Sequence, residues 1–236
     1  MTMPGAEPAP APSVAGGMSR LRAALVLFAV VVLHAAVATW WMHDQGFLRR
    51  PAPPEAATQQ REAAGYAERI AQDGLFAAAF DAWTANSHHT KLVPFSAGAL
   101  GVLVGDPAVG PVVQWTYDAL WGVVLAVGAY RLARRFMGRR AAILAATLFL
   151  WAPAVHAYQR VFYWQYPMTA LLPWALRALL DSDGFRRLRP AATFGAYLGL
   201  ATLAKNIAPM YVVGSCAVAL FEIGRASCRE RVCYVV

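Results

Sequence analysis

The stretch Ala23–Met42, AALVLFAVVVLHAAVATWWM, decides the fold of this chain because it is 20 residues long, apolar and without a formal charge. A helix of about 20 apolar residues can cross the hydrocarbon core of a bilayer. Arg20 and Arg22 precede it. The pattern predicts a first transmembrane helix; the alternative is a signal peptide cleaved near Ala36-Val37-Ala38. Both place Trp40 and the residues just after it on the outside.

The composition as a whole also indicates a membrane protein. Hydrophobic residues make up 58% of the 236 residues, charged residues only 14%, and the mean hydropathy is +0.42. The net charge of +8 comes from clusters between apolar runs, which are typical of cytoplasmic loops. We therefore predict a multi-pass protein of a bacterial-type inner membrane with a cytoplasmic N-terminus. Apolar spans leave no soluble basic surface, so nucleic acid is not an expected partner. The basic clusters are Arg20/Arg22, Arg131–Arg140 and Arg186–Arg189.

The chain divides into three parts. Residues 1–19 are rich in Pro, Ala and Gly and are expected to be disordered. Residues 20–221 form the membrane domain, with an outer loop over 43–110. Residues 222–236 are expected to be non-native, because the string from Glu222 to Val232 resembles a translated sequencing adapter and interrupts a span with charges. The chain is therefore expected to be a fragment of a longer protein.

Apolar runs after the outer loop predict five further spans. A shorter run, Leu92–Val104, is predicted to be a re-entrant or interfacial helix on the outer side, since 13 residues are few for a span. On this topology the outer loop, residues 159–165 and Lys205-Asn206 meet on the outer face. The predicted spans are Pro111–Tyr130, Ala141–Tyr158, Tyr166–Leu180, Ala191–Ala204 and Asn206–Phe221. The fold class is thus all-α.

The outer loop is predicted to hold an amphipathic helix over Thr58–Phe80, lying on the membrane surface. Glu62 and Tyr66 are four residues apart and share a face of that helix. A carboxylate there suits proton abstraction from a hydroxyl or binding of a divalent cation. The alternative is a solvated helix charge, as expected for Glu68 and Asp73.

Other polar side chains on the outer side are candidates for substrate binding. Imidazole and ammonium groups suit a metal or a lipid phosphate, and aromatic rings suit a sugar. Each has a simpler explanation in interfacial anchoring or snorkelling. Asp118 lies within a span and must face other helices or a polar cavity. The candidates are Tyr66, Trp83, His88, His89, Lys91, Arg160, Trp164, Gln165 and Lys205.

The order of these features resembles the GT-C membrane glycosyltransferases, specifically the family-39, protein-mannosyltransferase-like and aminoarabinose-transferase-like enzymes. The segments that carry the resemblance are Glu62-Ala-Ala-Gly-Tyr66, His88-His-Thr-Lys-Leu-Val-Pro94, Tyr166-Pro167 and Gly199-Leu-Ala-Thr-Leu-Ala-Lys205. It covers residues 20–221 and implies a truncated GT-C helical bundle.

The resemblance implies transfer of a sugar from a polyprenyl-phosphate carrier to an acceptor on the extracytoplasmic face, with inversion at the sugar carbon. The family's first-loop acid, usually Asp, falls on Glu62, which would be the catalytic base. A second family acid falls near Gln165, which is not ionisable, so metal dependence stays open. Lys205 would bind the carrier phosphate, helped by Arg160 or Lys91, and Tyr66, Trp83 or Trp164 would carry the sugar.

Two other functions stay open at this point. A transporter or flippase would use the intramembrane Asp118 and Lys205, and a membrane scaffold would use none of the outer polar residues in turnover. The expected partners are a lipid-linked sugar donor and membrane lipids. The acceptor is not identified, and no dedicated metal site is predicted.

Overall fold

The computed structural model describes residues 18–44, 54–84, 91–159 and 165–218, and the regular elements in those ranges are all α-helices. The predicted all-α class is therefore confirmed for the described part of the chain. The helices are α1 (Arg20–Asp44), α2 (Pro54–Asp73), α3 (Leu75–Thr84), α4 (Leu92–Val104), α5 (Pro111–Ala133), α6 (Arg139–Leu150), α7 (Pro153–Gln159), α8 (Gln165–Asp181), α9 (Leu188–Ala204) and α10 (Ala208–Val218).

Two of the described helices are long and apolar enough to cross a membrane. They are α1, with 25 residues, and α5, with 23. At a rise of 1.5 Å per residue, both helices are longer than the hydrocarbon core of a bilayer is thick, which is about 30 Å. The shorter apolar helices α4 and α10 do not reach that length. The predicted span Ala141–Tyr158 corresponds to α6 together with α7. The next two predicted spans correspond to α8 and α9, which have 17 residues each.

The basic clusters lie together at one end of the helix bundle, which we call the basic end. Arg139, at the start of α6, donates a hydrogen bond to the Met18 carbonyl just before α1. Arg177, near the end of α8, donates to the Arg131 carbonyl near the end of α5 at 2.8 Å. Arginine side chains thus link the start of α6 to the start of α1 and the end of α8 to the end of α5.

The outer-loop helices pack at the opposite end. One buried cluster there contains Ala63 of α2, Val93 of α4, Val113 of α5, Met168 of α8 and Ala204 of α9. The outer-loop helices α2 and α4, the start of α8 and the end of α9 therefore lie close together. α1 packs separately, through Leu27 and Val31, against α5 and α6.

The outer loop differs from the single predicted helix over Thr58–Phe80. The helix begins earlier, at Pro54, and is broken at Gly74, whose φ of +86° is accessible to glycine but costly for other residues. The break turns α3 away from α2. Tyr66 is therefore buried, only 8% exposed, while Phe76 is 90% exposed. Tyr66 and Phe76 therefore do not share one face of a single continuous helix, as the prediction of one helix over Thr58–Phe80 would allow.

The predicted span Ala141–Tyr158 is also interrupted. α6 ends at Leu150, two residues intervene, and α7 begins at Pro153. A proline has no N–H to continue the preceding helix but is favoured at the start of a new one, so the interruption falls where Pro153 requires it. By contrast, α4 has the predicted bounds, and Gly105 ends it with a φ of +80°.

Candidate active site

An ion pair joins the outer-loop acid to the residue that precedes α4. Lys91 Nζ lies 3.0 Å from Glu62 Oε1 and donates a hydrogen bond to it. The two side chains are only 13% and 29% exposed, respectively. The pair forms because α2 packs along α4 and brings residue 62 beside the helix start. Both residues were candidates in the sequence, and the structure places them in direct contact.

The second carboxylate oxygen of Glu62 is differently placed. Oε2 is buried and has no hydrogen-bond partner among the described residues. A buried acceptor that lacks a donor is unfavourable, and such atoms in proteins often mark a place where a ligand or water binds. Glu62 thus uses one carboxylate oxygen for Lys91, and the other has no donor among the described residues.

A pocket of about 390 Å³ opens beside this pair. Glu62, Tyr66 and Arg69 come from one face of α2, at the spacing i, i+4, i+7 that lines up side chains along a helix. Asp81 and Thr84 of α3 form the opposite wall. The lining residues are Glu62, Gly65, Tyr66, Arg69, Asp81, Thr84 and Lys91.

The pocket carries two carboxylates and two cations in two ion pairs. Arg69 binds Asp81 across the gap between α2 and α3, in an exposed pair that contrasts with the more enclosed Glu62–Lys91 pair. Lys has three donors and Arg has five, so both cations retain N–H groups beyond those used in the pairs. The four formal charges balance, and the remaining N–H groups are donors that acceptor atoms of a ligand could use.

Tyr66 lines the same pocket as these two ion pairs. Its ring packs edge-on against Phe95 of α4, with the ring centroids 6.0 Å apart. Burial raises the pKa of the Tyr66 hydroxyl, and the nearby Glu62 carboxylate raises it further, against a smaller lowering by Arg69. The hydroxyl is therefore a neutral hydrogen-bonding group at physiological pH.

The sequence-predicted binding residues are not all at this pocket. Trp83 lies on the exposed side of α3, 75% exposed, and does not line the pocket. His88, His89, Arg160 and Trp164 lie outside the described residues. Their roles stay predictions.

Gln165 and Lys205 lie at the same end of the bundle as the pocket. Gln165 begins α8, and its Oε1 is buried without a hydrogen-bond partner among the described residues. Lys205 follows α9 in an extended conformation and is half-buried, beside Ala204 in the cluster that also contains Val93 of α4. These positions agree with the expected convergence without assigning a role to either side chain.

Arg69 and Asp81 are site residues that the sequence analysis did not identify. The i, i+7 spacing of Glu62 and Arg69 was a usable signal for Arg69. Asp81 gave no such signal, because its position depends on the turn at Gly74. Among the described residues, no group of three His, Cys, Asp or Glu side chains could hold a metal ion.

Asp118 faces the interior of the bundle, as its position within a span required. It is 5% exposed, and its Oδ1 has no hydrogen-bond partner in the part of the chain that the structure describes. Tyr166 of α8 is also buried, and its hydroxyl oxygen has no hydrogen-bond partner among the described residues. The Tyr166 hydroxyl packs against Gly122, one helical turn further along α5. Neither Asp118 nor Tyr166 lines the pocket at Glu62.

Comparison with known proteins gives one family. No curated protein and no solved structure matches the chain at a significant level. A family model, described as dolichyl-phosphate-mannose-protein mannosyltransferase, matches residues 92–236, more than half of the 236 residues. The match begins at the first residue of α4, so it includes Gln165 and Lys205 but not Glu62 and Lys91. The chain belongs to the dolichyl-phosphate-mannose-protein mannosyltransferase family, a family of membrane-bound glycosyltransferases.

Proposed function

We propose that the protein transfers a sugar from a polyprenyl-phosphate carrier to an acceptor hydroxyl on the extracytoplasmic face of a bacterial-type inner membrane. Glu62 is the base in this proposal. The observation that carries it is the position of Glu62 at a pocket that also presents Lys91 and Arg69, with Glu62 Oε2 lacking a hydrogen-bond partner among the described residues. Membership of a membrane glycosyltransferase family supports the reaction class.

The reaction requires one bond to form and one to break. The acceptor hydroxyl gives its proton to Glu62 Oε2 and its oxygen attacks the anomeric carbon of the sugar. The bond between that carbon and the carrier phosphate breaks, and the phosphate leaves with the electron pair. Because the carrier phosphate is already a good leaving group, the protein must mainly position the reactants and stabilise the departing charge.

The contacts of Lys91 and Arg69 suit stabilisation of the negative charge on the departing phosphate. Each cation uses part of its donor set in an ion pair within the pocket wall, and each retains further N–H groups. Lys91 also holds Glu62 in position through Oε1, so that the same ammonium group orients the base and neutralises phosphate. Lys205 and Gln165, at the same end of the bundle, are proposed to contact the donor. The shared basic end supports the proposed orientation, in which the N-terminus is cytoplasmic.

The test is transfer of radiolabelled mannose from polyprenyl-phosphate mannose in membranes that contain the protein. Glu62→Gln keeps the size of the side chain and removes the base, and we expect at least about a hundredfold loss of transfer. Arg61→Gln, one residue away on an exposed face of α2, is the matched control and should retain transfer. Normal transfer by Glu62→Gln would remove Glu62 as the base.

A further inference from the structure

A second, larger pocket lies at the basic end, remote from Glu62. It has a volume of about 580 Å³ and is lined by residues from α1, α5, α6 and α8. Its lining is sharply divided: five arginines form one part and apolar side chains form most of the rest. The proposed transfer reaction makes no use of it. The arginines are Arg20, Arg131, Arg134, Arg139 and Arg177.

The arginines are held in place by contacts that leave the pocket strongly positive. Arg177 binds Asp181 at 2.6 Å and the Arg131 carbonyl at 2.8 Å. Arg134 and Arg139 donate to backbone carbonyls, of Met137 and Met18, which do not neutralise their charge. Asp181 is itself shared, because Arg135 also lies 3.8 Å from it. The balance of charge at this end favours an anion.

Arg131 is fixed by an aromatic contact. Its guanidinium carbon lies 5.3 Å from the centre of the Trp174 ring of α8, in a cation–π arrangement. This contact orients the group without using its N–H donors. A planar guanidinium with available donors is well suited to bind phosphate oxygens in pairs.

The apolar part of the pocket extends along the helices away from these charges. Val31 is 11 residues beyond Arg20 on α1, and Val123 is 8 residues before Arg131 on α5. At 1.5 Å per residue the apolar wall therefore reaches roughly 12–16 Å from the arginines, about half the thickness of a bilayer core. Phe28 on this wall is 67% exposed, so the groove is open at its side.

We propose that this pocket is a binding site for an anionic glycerophospholipid from the leaflet at the basic end of the bundle. The phosphate would lie among the arginines, and one acyl chain would follow the groove between α1 and α5. A zwitterionic lipid would bring an ammonium group towards the arginines, which disfavours it. Inorganic phosphate would gain nothing from an apolar wall of this length.

The test uses the full chain purified in detergent and native mass spectrometry with added phosphatidylglycerol. Phosphatidylcholine with the same acyl chains is the comparison lipid. We expect phosphatidylglycerol to bind about tenfold more tightly, and the double substitution Arg20→Gln and Arg131→Gln to remove that preference. If the double variant does not elute as a folded species, Arg20→Gln alone, at an exposed helix start, should weaken binding about fivefold.

The matched control removes two arginines outside the pocket. Arg186→Gln with Arg189→Gln takes the same charge from exposed positions at the same end, and this variant should retain the binding of phosphatidylglycerol. An equal loss in the control, or equal binding of phosphatidylcholine, would overturn the proposal. Displacement of the lipid by inorganic phosphate at similar concentration would indicate a free-anion site. Displacement by polyprenyl phosphate at lower concentration would make the pocket a carrier site. Either result would also contradict the proposal.

Discussion

Gly98 of α4 lies directly against the backbone of Ala63 in α2. A methyl group at Gly98 would come 2.5 Å from the Ala63 carbonyl oxygen and 2.9 Å from the Ala67 nitrogen. These are backbone atoms that cannot turn aside as a flexible side chain could. The absence of a side chain at one position of α4 therefore sets how closely the helix that carries Glu62 approaches.

Replacement of this glycine is expected to displace α2. Gly98→Ala should destabilise the protein by about 1–3 kcal/mol, as overpacking does, and should reduce sugar transfer because Glu62 moves away from Lys91. Gly195→Ala, in α9, is the control, because a methyl group there would meet nothing within 4 Å. It should be neutral or stabilise by up to about 1 kcal/mol. Equal melting temperatures for the two variants in detergent would contradict this account.

This close contact also explains how far the sequence could predict the site. The bounds of α4 were predictable because Lys91 precedes an apolar run and Asp106-Pro107 follows it. The pairing of Glu62 with Lys91 was not, since the two are 29 residues apart and meet only through the packing at Gly98. A sequence pattern indicates which residues share a face of one helix. It gives little information about which faces of two helices pack together.

The turn at Gly74 was missed for a related reason. The helical pattern continues across it without a proline or a change of composition, so an isolated glycine was the only signal. The consequence was large, because the orientation of α3 decides that Asp81 reaches Arg69 while Trp83 is exposed.

The Glu62–Lys91 pair should contribute more to stability than the Arg69–Asp81 pair beside it. We expect a coupling free energy of about 1–2 kcal/mol between Glu62→Gln and Lys91→Met in a double-mutant cycle, since both groups are largely shielded from water. The cycle of Arg69→Met with Asp81→Asn should give less than about 1 kcal/mol, because both side chains are half exposed.

Salt provides the control for that comparison. The Arg69–Asp81 coupling should shrink as salt is added, whereas the Glu62–Lys91 coupling should change little. The measurement is chemical denaturation of the four variants of each cycle in detergent. A larger, salt-insensitive coupling for the exposed pair would be inconsistent with the burial of the two sites.

Alkaline pH should destabilise the protein through Tyr66. The folded-state pKa of its hydroxyl is raised above the ordinary value of 10.0, chiefly by burial. Well below the ordinary pKa of 10.0 the hydroxyl is neutral in both the folded and the unfolded state, and the stability it contributes is fully retained. As the pH rises from the unfolded pKa to the folded one, the unfolded state ionises first, so stability is lost.

Tyr66→Phe should therefore lose less stability than the unmodified protein between about pH 8 and pH 11. Glu62→Gln should give an intermediate slope, because it removes the carboxylate that raises the Tyr66 pKa further. Melting temperatures across this range are the measurement. Parallel curves for all three proteins would show that Tyr66 does not titrate differently on unfolding.

Asp118 is expected to be replaceable by an uncharged amide without loss of sugar transfer. Its carboxylate is buried within α5, and Oδ1 lacks a partner among the described residues, so Asp118→Asn should be neutral or stabilise by up to about 1 kcal/mol. Asp106→Asn is the contrasting change: Asp106 Oδ2 accepts a hydrogen bond from the Gly110 N–H at 3.0 Å before α5, and weakening it should cost about 0.5–1 kcal/mol. Thermal melting and mannose transfer measure the two effects separately. A stable Asp118→Asn protein that has lost transfer would contradict this expectation and would place Asp118 in the transfer reaction.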